Sequence, residues 1–589
     1  MSDRQTFLVY LIKPSHYDDD GYVIQWLRSA IPSNTLATLN GLFADSTGRQ
    51  ILGPGVDIEV RAIDETNTRV QPEKIIDAIK ANGGCGMVGF VGVQSNQFPH
   101  TMDMARPMAA AGLQVCIGGF HVSGCLAMLP DVPADIQEAM DLGISIFAGE
   151  AEGRLDQVLQ HAYAGKLQPT YNYMADLPGL EGAVTPILPP TRVKRTAGGI
   201  ASFDAGRGCP FQCSFCTIIN VQGRKSRRRS PDDIERIVRD NASQGINSFF
   251  ITDDNLARNK DWEIIFDRLI HLREVEKFPI RFIIQVDTLC HQIPNFIEKA
   301  GRAGVRRVFI GLENINPESL MSANKRQNRI TDYRTMLLAW REVGVVTYAG
   351  YILGFPGDTP ETIVRDIEII KRELPIDLLE FFCLTPLPGS QDHKELSAKG
   401  VWMDPDMNKY DLEHVTTGHA KMSPDEWRHA YKLAWKTYFT PDHIKTVMRR
   451  ATASGMSAGK VLFLLIWFHS CVTLENLHPL EGGYFRRKYR RDRRPGLPRE
   501  NPLLFYPRYG LEIVYKHLYL LALVARYGSF RQLLKRNKAA KDYTDLSLTP
   551  VVEDEYDALE MFAVTDSAKA AVDKMRLKEE QREKRAAAG

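Results

Sequence analysis

Short apolar runs alternate with helix-like stretches over the first 165 residues. The runs are apolar throughout rather than at every second position, which is typical of strands buried on both faces of a parallel sheet. Helical stretches such as QPEKIIDAIKAN lie between them, so we predict a doubly wound α/β domain over residues 1–165. About five strands are predicted, at TFLVYLI (6–12), DIEVRAID (57–64), MVGFVGV (87–93), QVCIGG (114–119) and ISIFAGE (144–150).

A second strand–helix series follows a stretch rich in Pro and Gly. That stretch, 166–199, has no sustained period and is predicted to be a linker. Helices such as SPDDIERIVRDNASQG, with Ser230 as a favourable N-cap, separate the later runs. Six such units over 200–410 predict a partial (βα)6 TIM-like barrel with its active site at the carboxyl ends of the strands. The six strand-like runs are 200–206, 247–252, 281–286, 306–311, 345–352 and 378–384.

Beyond residue 410 the strand pattern ends and apolar residues recur at helical spacing. We predict a helical C-terminal domain over 411–589. It contains a basic segment, YFRRKYRRDRRPGLPRE (484–500), and a charged tail, KMRLKEEQREKRAAAG. The basic segment would suit phosphate groups of RNA or of an anionic membrane, although such runs are usually solvated faces. The apolar run VLFLLIWFHSCV (461–472) is shorter than the ~20 residues that span a bilayer.

The composition limits the class of protein. The 589 residues carry a net charge of +2, with 44% hydrophobic and 25% charged residues, which fits a globular protein and not a general nucleic-acid binder. The first residues lack the basic leader and cleavage site of a signal peptide. We expect a cytoplasmic protein, with contact to the inner face of the membrane as an option. Nine cysteines are too few for a disulfide framework in so long a chain, so clustered thiols indicate metal or redox chemistry.

Three of those cysteines stand close together in AGRGCPFQCSFC. Cys209, Cys213 and Cys216 have the spacing C-x3-C-x2-C directly after a predicted strand. Structural zinc sites use four ligands, whereas a [4Fe–4S] cluster has four irons that are normally each held by a thiolate. Three thiolates leave one iron open to a small molecule, and the amino and carboxylate groups of S-adenosylmethionine (SAM) suit that position. A zinc or structural Fe–S loop is the alternative.

The spacing, its place after the first barrel strand and the Phe before the last Cys resemble the radical SAM superfamily. The segments FFITDDNLA, IGLENI, GYILGFPGDTPETI and LTPLPGS are similar to the strand ends that hold SAM in that superfamily. The resemblance implies that Glu313 reaches the ribose, although each residue could instead be an ordinary polar or turn residue. The implied SAM-binding residues are Phe215, Thr252, Asp253, Asp254, Gln285, Glu313, Ile352, Gly354, Leu384 and Thr385.

The segments VCIGGFHVSG and FAGEAEGRLDQVLQ resemble the Rossmann-like, B12-binding domain that precedes many radical SAM barrels. The D-x-H-x-x-G motif of base-off cobalamin proteins has no match in the sequence, so the lower axial ligand stays open: water, Gln94, Asn96, His100 or nothing. A domain that keeps the fold without the cofactor is the alternative. The cobalamin-binding residues that the resemblance implies are Gln94, Ser95, Gly118, Gly119, His121, Gly149, Glu150 and Glu152.

A second comparison is with the tRNA methylthiotransferases, which hold another cluster on three N-terminal cysteines. Cys85, Cys116 and Cys125 invite it, but their gaps are uneven and Cys116 lies in a predicted strand.

The resemblance as a whole implies an enzyme that reductively cleaves SAM at a [4Fe–4S] cluster to give a 5′-deoxyadenosyl radical. With cobalamin, methylation of an unactivated carbon is the expected reaction. The alternatives are radical cyclisation or rearrangement without methyl transfer, modification of RNA, and non-catalytic Fe–S electron transfer. Expected partners are a small-molecule, peptide or lipid substrate and a flavodoxin- or ferredoxin-type electron donor, and not a nucleic acid. No acid or base that acts in catalysis is identified from the sequence.

Overall fold

The computed structural model describes residues 4–550 and 559–587. Its N-terminal part holds seven strands and six α-helices within residues 4–172. The strands are β1 (Gln5–Lys13), β2 (Gln25–Ser29), β3 (Val56–Asp64), β4 (Gly86–Phe90), β5 (Gln114–Gly118), β6 (Ser145–Ala148) and β7 (Thr170–Asn172). The helices are α1 (Asn34–Gly48), α2 (Pro72–Ala81), α3 (Phe98–Ala110), α4 (Phe120–Met128), α5 (Ala134–Asp141) and α6 (Leu155–Tyr163).

All of these strands except β2 form one parallel sheet in the order β3-β1-β4-β5-β6-β7. Apolar cores cover both faces of the sheet, which confirms the predicted doubly wound domain. β7 was not predicted, because it lies within 166–199, the stretch interpreted as a linker. A three-residue strand at the sheet edge, paired with β6, is too short to give an apolar run.

The barrel follows a short helix, α7 (Pro190–Val193). Six of its strands form a parallel sheet in the order β15-β14-β13-β12-β11-β8, which confirms the predicted open barrel. β9 and β10 pair separately as a short antiparallel ladder. The strands are β8 (Ile200–Phe203), β9 (Gly206–Arg207), β10 (Arg227–Arg228), β11 (Ser248–Ile251), β12 (Arg281–Val286), β13 (Val305–Glu313), β14 (Val346–Leu353) and β15 (Leu378–Cys383). The helices are α8 (Ile218–Val221), α9 (Pro231–Ser243), α10 (Trp262–Ile270), α11 (Phe296–Ala303), α12 (Pro317–Ser322), α13 (Tyr333–Glu342), α14 (Pro360–Glu373) and α15 (Gln391–Ala398).

Local sequence signals and a shared core fix the barrel units. Ser230 Oγ accepts a hydrogen bond from the backbone N–H of Asp233 at 3.1 Å, and this capping box starts α9 at Pro231. Phe249 contacts the rings of Phe203 and Phe282 on the two neighbouring strands, with centroid distances of 5.8 and 5.6 Å. Such aromatic pairs hold adjacent strands together and so set the position of the loops at their carboxyl ends.

The C-terminal region is mainly helical but contributes one strand to the N-terminal domain. β16 (Gly483–Arg487) pairs antiparallel with β2, from Gly483↔Ser29 to Arg487↔Gln25. The prediction of a purely helical region was therefore incomplete, because a basic strand whose partner is so distant in sequence has no local signal. The helices are α16 (Pro424–Tyr438), α17 (Pro441–Ala453), α18 (Ala458–Ser470), α19 (Pro502–Arg536), α20 (Glu560–Ala563) and α21 (Asp566–Ala587).

α18 continues into a π-helical turn, and together they form the segment Ala458–Glu475. Among residues 4–550 and 559–587, this is the segment long and apolar enough to cross a membrane by length and composition, and 39% of it is buried within the fold. It packs against α17 and α19, so a core helix explains it equally well. Residues 588 and 589 of the predicted charged tail lie outside the described residues.

The N-terminal domain and the barrel meet through loops at the carboxyl ends of their strands. A Cβ atom on Gly124 would lie 2.9 Å from the Cα atom of Gly389, so the two backbones touch here. Asn220 Nδ2 donates a hydrogen bond to the Gly389 carbonyl at 2.9 Å, next to the contact between α4 and α8. The carboxyl edges of the two sheets therefore face each other.

Candidate active site

The cysteine loop leaves the barrel at the end of β9 and turns back toward β10. Gly208 has φ +92, and a Cβ atom there would lie 2.6 Å from the Lys225 carbonyl oxygen. Any other residue would be strained and would collide with the returning chain. The backbone N–H of Cys209 donates to the Gly223 carbonyl at 3.2 Å, which closes the loop around the three cysteines.

The thiols are largely buried next to one another and next to an acid. Burial, with smaller effects from the neighbouring Cys213 and Asp254, raises the pKa of Cys209 to about 11 and that of Cys216 to about 12. Backbone N–H groups at the start of α8 act in the opposite direction on Cys216. Thiolates so close together need a cation to neutralise them, and iron would supply that charge.

The thiols are not gathered around one point. Within the part of the chain that the structure describes, no group of three or more His, Cys, Asp or Glu residues is placed to hold a single metal ion. A zinc loop would require such convergence, whereas an Fe–S cluster takes each thiolate on a different iron. The three thiolates of this loop match the number that a [4Fe–4S] cluster with one open iron would take.

Asp253 and Asp254 follow β11 at the carboxyl edge of the barrel. Asp253 is buried and accepts a hydrogen bond from the backbone N–H of Ala205 at 2.6 Å. Asp254 lies near the thiols and affects the pKa of Cys209 and Cys216. Burial raises the pKa of both carboxyl groups to about 7, so both are easily ionised by a cationic or hydrogen-bonding ligand.

Glu313 ends β13 with φ +65 and forms an ion pair with Lys325. Lys325 also lies over the ring of Phe215, 5.7 Å from its centroid. Burial lowers the pKa of Lys325, but Glu313 and the thiol of Cys213 outweigh that effect and raise it. Gln327 Nε2 lies 3.5 Å from Cys213 Sγ. Sequence reasoning missed Lys325 and Gln327, because they lie in a loop without periodicity.

The remaining residues predicted to bind SAM also lie at this edge. Phe215, Ile352 and Leu384 pack into one apolar cluster. The hydroxyl of Thr252 and the amide of Gln285 are used by the fold, because they donate to the carbonyls of Phe203 and Asp253. The hydroxyl of Thr385 likewise donates to the Cys383 carbonyl at 3.0 Å. Gly354 has φ +106, and Trp427 covers it.

A cavity of about 180 Å³, open to solvent, lies at the carboxyl edge of the N-terminal sheet. The N-terminal sheet, helices α1 and α6 and the loops after the strands line most of it, and Arg207 and Gln222 of the barrel complete it. Apolar side chains such as Leu39, Phe43 and Phe147 line it, and such walls suit a flat heteroaromatic group. Five of the residues that the resemblance implied line this cavity: Gly118, Gly119, Gly149, Glu150 and Glu152.

Glu150 and Glu152 have partners of their own at the cavity wall. Arg207 donates to Glu150 at 2.7 Å and to Glu152 at 2.6 Å, and Arg227 also pairs with Glu150. Burial alone would lower the pKa of Arg207, but Asp204, Glu152 and Glu150 outweigh it and raise the pKa. The two acids thus join the domains across the cavity. From the sequence they are expected only as cobalamin-binding residues, and these ion pairs are not predicted.

Gln94, Ser95 and His121 do not line the cavity. His121 contacts Ser95 Oγ at 3.1 Å and Asp135 at 3.0 Å, so both ring nitrogens have partners. Gln94 starts a 3-10 turn and its backbone N–H donates to a side chain of the same turn. These three residues serve the local fold in this structure.

Two candidates for the lower axial ligand are also bonded elsewhere. His100 contacts the Tyr17 hydroxyl at 2.7 Å and Glu65 at 3.1 Å. Asn96 Nδ2 donates to Glu481 at 3.2 Å. The His100 ring would lose one of its two contacts on binding a metal, whereas the contact of Asn96 uses Nδ2 and not the Oδ1 atom through which Asn could ligate.

Cys85, Cys116 and Cys125 do not form a second thiolate site. Cys116 belongs to the core on one face of the N-terminal sheet and Cys125 to the core on the other. Burial raises the pKa of Cys116 to about 12 and that of Cys125 further, so both behave as small apolar side chains.

The cysteine loop, the partial barrel and the polar strand ends are the features of a radical SAM domain. A family model described as the radical SAM superfamily matches residues 205–370, so the chain carries a domain of this superfamily, whose members use a [4Fe–4S] cluster and SAM. This confirms the resemblance drawn from the cysteine triplet.

Several curated relatives of the chain are methyltransferases, and others are methylthiotransferase-type enzymes. Bacteriochlorophyllide d C-8(2)-methyltransferase of Chlorobaculum tepidum is 27% identical over 371 residues, which cover 60% of this chain and 77% of that protein. Hopanoid C-2 methylase of Rhodopseudomonas palustris is 26% identical over 332 residues, 55% of this chain and 61% of that protein.

Among solved structures, the fold is similar to that of a radical S-adenosylmethionine methyltransferase, TsrM, from Kitasatospora setae with cobalamin and a [4Fe–4S] cluster bound. The TM-score is 0.51 at 17% sequence identity, and the match covers 74% of this chain and 86% of that chain. The likeness is one of fold and supports the two-domain architecture.

Proposed function

We propose that this protein is a cobalamin-dependent radical SAM methyltransferase that methylates an unactivated carbon. The observation that carries the proposal is that the cysteine loop and an apolar cavity meet where the carboxyl edges of two sheets face each other. When bound, the cluster would supply the electron that cleaves SAM, and cobalamin would carry the methyl group.

The chain's own residues would bind and orient these groups. Cys209, Cys213 and Cys216 would hold the cluster, and Asp254 would accept a hydrogen bond from the SAM amino group. Lys325 would balance the carboxylate of SAM, because it lies beside Phe215 and Glu313. The cavity lined by Gly118 and Gly149 would take part of cobalamin.

The proposed class of substrate rests on the relatives of the chain and on the reaction, not on a bound molecule. The relatives named above act on a bacteriochlorophyllide and a hopanoid, which supports an organic molecule with an unactivated carbon as the methyl acceptor. A flavodoxin- or ferredoxin-type protein would supply the electrons. Arg486, Lys488 and Arg494 of the basic segment pair with acids of this chain, so these three side chains give little support to the alternative of RNA modification.

The test is anaerobic reconstitution of the wild type and of three single variants, Cys209→Ala, Cys213→Ala and Cys216→Ala. We expect about four irons per chain and release of 5′-deoxyadenosine from SAM in the wild type, and loss of both in each variant. Cys85→Ala is the matched control, because that thiol is half-buried and lies outside the site. A cluster that persists in the three variants would contradict the assignment.

A further inference from the structure

In the middle of α19 the charged side chains are covered, together with apolar ones such as Leu523, while a row of large apolar side chains is exposed. The two charged residues between positions 509 and 525, Glu512 and Lys516, lie on the covered side and pair with each other, and Lys516 pairs with Glu475 at 2.6 Å. The outward side carries an apolar stripe with exposed fractions of 53–71%, formed by Leu511, Val514, Tyr515, Leu518, Leu521 and Val524.

A helix on the surface of a soluble domain normally turns such residues toward the core. The apolar stripe follows one side of α19 for about four turns, roughly 22 Å at 1.5 Å per residue. Gly510, Ala522 and Ala525 are the other exposed residues between positions 509 and 525, so no charge interrupts the stripe. A contiguous patch of this kind marks a contact surface.

Positive charge is concentrated around the apolar stripe. Residues 484–541 contain sixteen Lys and Arg and three Asp and Glu, a net charge of +13, whereas the whole chain carries +2. Part of this charge is paired within the fold, as at Arg494 and Asp406. Seven exposed basic side chains form no ion pair with any residue in 4–550 or 559–587: Arg491, Arg499, Arg526, Lys535, Arg536, Lys538 and Lys541.

We propose that α19 docks on an anionic lipid bilayer, with the apolar stripe at the level of the headgroups and the unpaired basic side chains against lipid phosphates. Of the described segments, Ala458–Glu475 meets the criterion for a membrane span and α19 does not, which fits a helix that lies along the surface. The charge favours a bilayer over a second copy of this chain, because two such segments would repel each other.

The docking surface is independent of the proposed methyl transfer, since none of its residues belongs to the site at the sheet edges. The test uses the full-length, cluster-loaded protein and vesicles of phosphatidylcholine with and without phosphatidylglycerol. The variant is L511E/L518E, which keeps helix-forming residues. The matched control is I264E/V275E, because Ile264 and Val275 are also exposed apolar residues, on the barrel.

We expect the wild type and the control to sediment with vesicles that contain phosphatidylglycerol, and to do so less as salt is raised. The stripe variant should bind these vesicles at least tenfold more weakly, with unchanged circular dichroism and iron content. A wild type that does not bind, or a stripe variant that binds as well as the wild type, would overturn the proposal. A wild-type dimer in the absence of vesicles that becomes monomeric in the stripe variant would assign the stripe to a subunit interface instead.

Discussion

Asp253 and Asp254 are neighbours in the sequence, yet the fold uses them in different ways. Asp253 accepts a hydrogen bond from the backbone N–H of Ala205 and a weaker one from Asn259 at 3.4 Å, so it holds the start of the cysteine loop. Asp254 is affected by no side-chain hydrogen bond, and it faces Cys209 and Cys216. Asp254 is therefore the acid placed to meet a ligand.

Replacing Asp254 by Asn should remove a pH dependence of SAM binding. Because burial raises the pKa of Asp254 from 3.8 to about 7, its ionised form is present only above that pH. If the carboxylate accepts a hydrogen bond from SAM, the affinity of the loaded wild type should rise about tenfold between about pH 6 and about pH 8. Titration calorimetry would measure this rise, and the D254N profile should be flat.

The control for this prediction is Asp253→Asn, which should keep the pH dependence of SAM binding seen in the wild type, because the Asn Oδ1 atom can still accept the hydrogen bond from Ala205. The raised pKa values of Asp253 and Asp254 also determine how the free energy of unfolding changes with pH in the absence of ligand. Between pH 3.8 and about 7 the folded protein keeps protons on these two acids that the unfolded chain loses. Each acid therefore lowers the stability of the fold as the pH rises through this range. An identical pH profile in the wild type and D254N would contradict the role given to Asp254.

At the residue scale, the sequence predicts what is local. The cysteine triplet could be interpreted because its three ligands lie within eight residues. The partners of Glu150 and Glu152 could not be predicted, because Arg207 is more than fifty residues away and belongs to another sheet. Lys325 was not predicted for the same reason, since only the folded chain brings it next to Glu313.

At the scale of elements, the turn after β14 is fixed by a helix from the C-terminal region. A Cβ atom on Gly354 would lie 1.8 Å from Cζ2 of Trp427, which is buried in α16. The backbone N–H groups of Gly354 and Phe355 both donate to Asp358, at 2.9 and 3.0 Å. α16 thus closes one side of the barrel mouth at a predicted SAM-binding position.

Gly354→Ala should therefore destabilise the protein by about 3 kcal/mol, because the methyl group collides with Trp427 and φ +106 is unfavourable for alanine. Gly357→Ala is the matched control, since its Cβ would meet no atom within 4 Å. Denaturant unfolding of both variants measures the difference. Equal stability of the two variants would show that α16 does not pack on this turn as described.

Elements with a strong apolar or capping pattern were predictable, and elements defined by distant pairing were not. β1 and β4 were found because they are apolar throughout, and α9 because of its capping box. β7 has one buried residue, and β16 is basic and pairs with a strand more than 450 positions earlier. The spacing of apolar residues reveals neither a three-residue edge strand nor a basic strand whose partner is distant in the sequence.

At the scale of the whole molecule, two sheets present their carboxyl edges to each other and share one cavity. Arg207 and Arg227 of the barrel pair with acids that follow β6. Removing one partner of such a buried pair typically costs about 3–5 kcal/mol, so these pairs hold the domains in a defined orientation. The sequence predicted both sheets but not this orientation, which depends on contacts between distant residues.

The proposed function requires that the cavity between these edges holds cobalamin, and the retention of corrin tests this most directly. Ala151 lines the cavity, whereas Ala164 is exposed after α6. After loading with cobalamin and gel filtration, the wild type and Ala164→Trp should retain a corrin absorbance. Ala151→Trp should lose it while it keeps its cluster iron. Equal corrin retention by Ala151→Trp and the wild type, or a wild type that cleaves SAM fully without binding any corrin, would contradict the account.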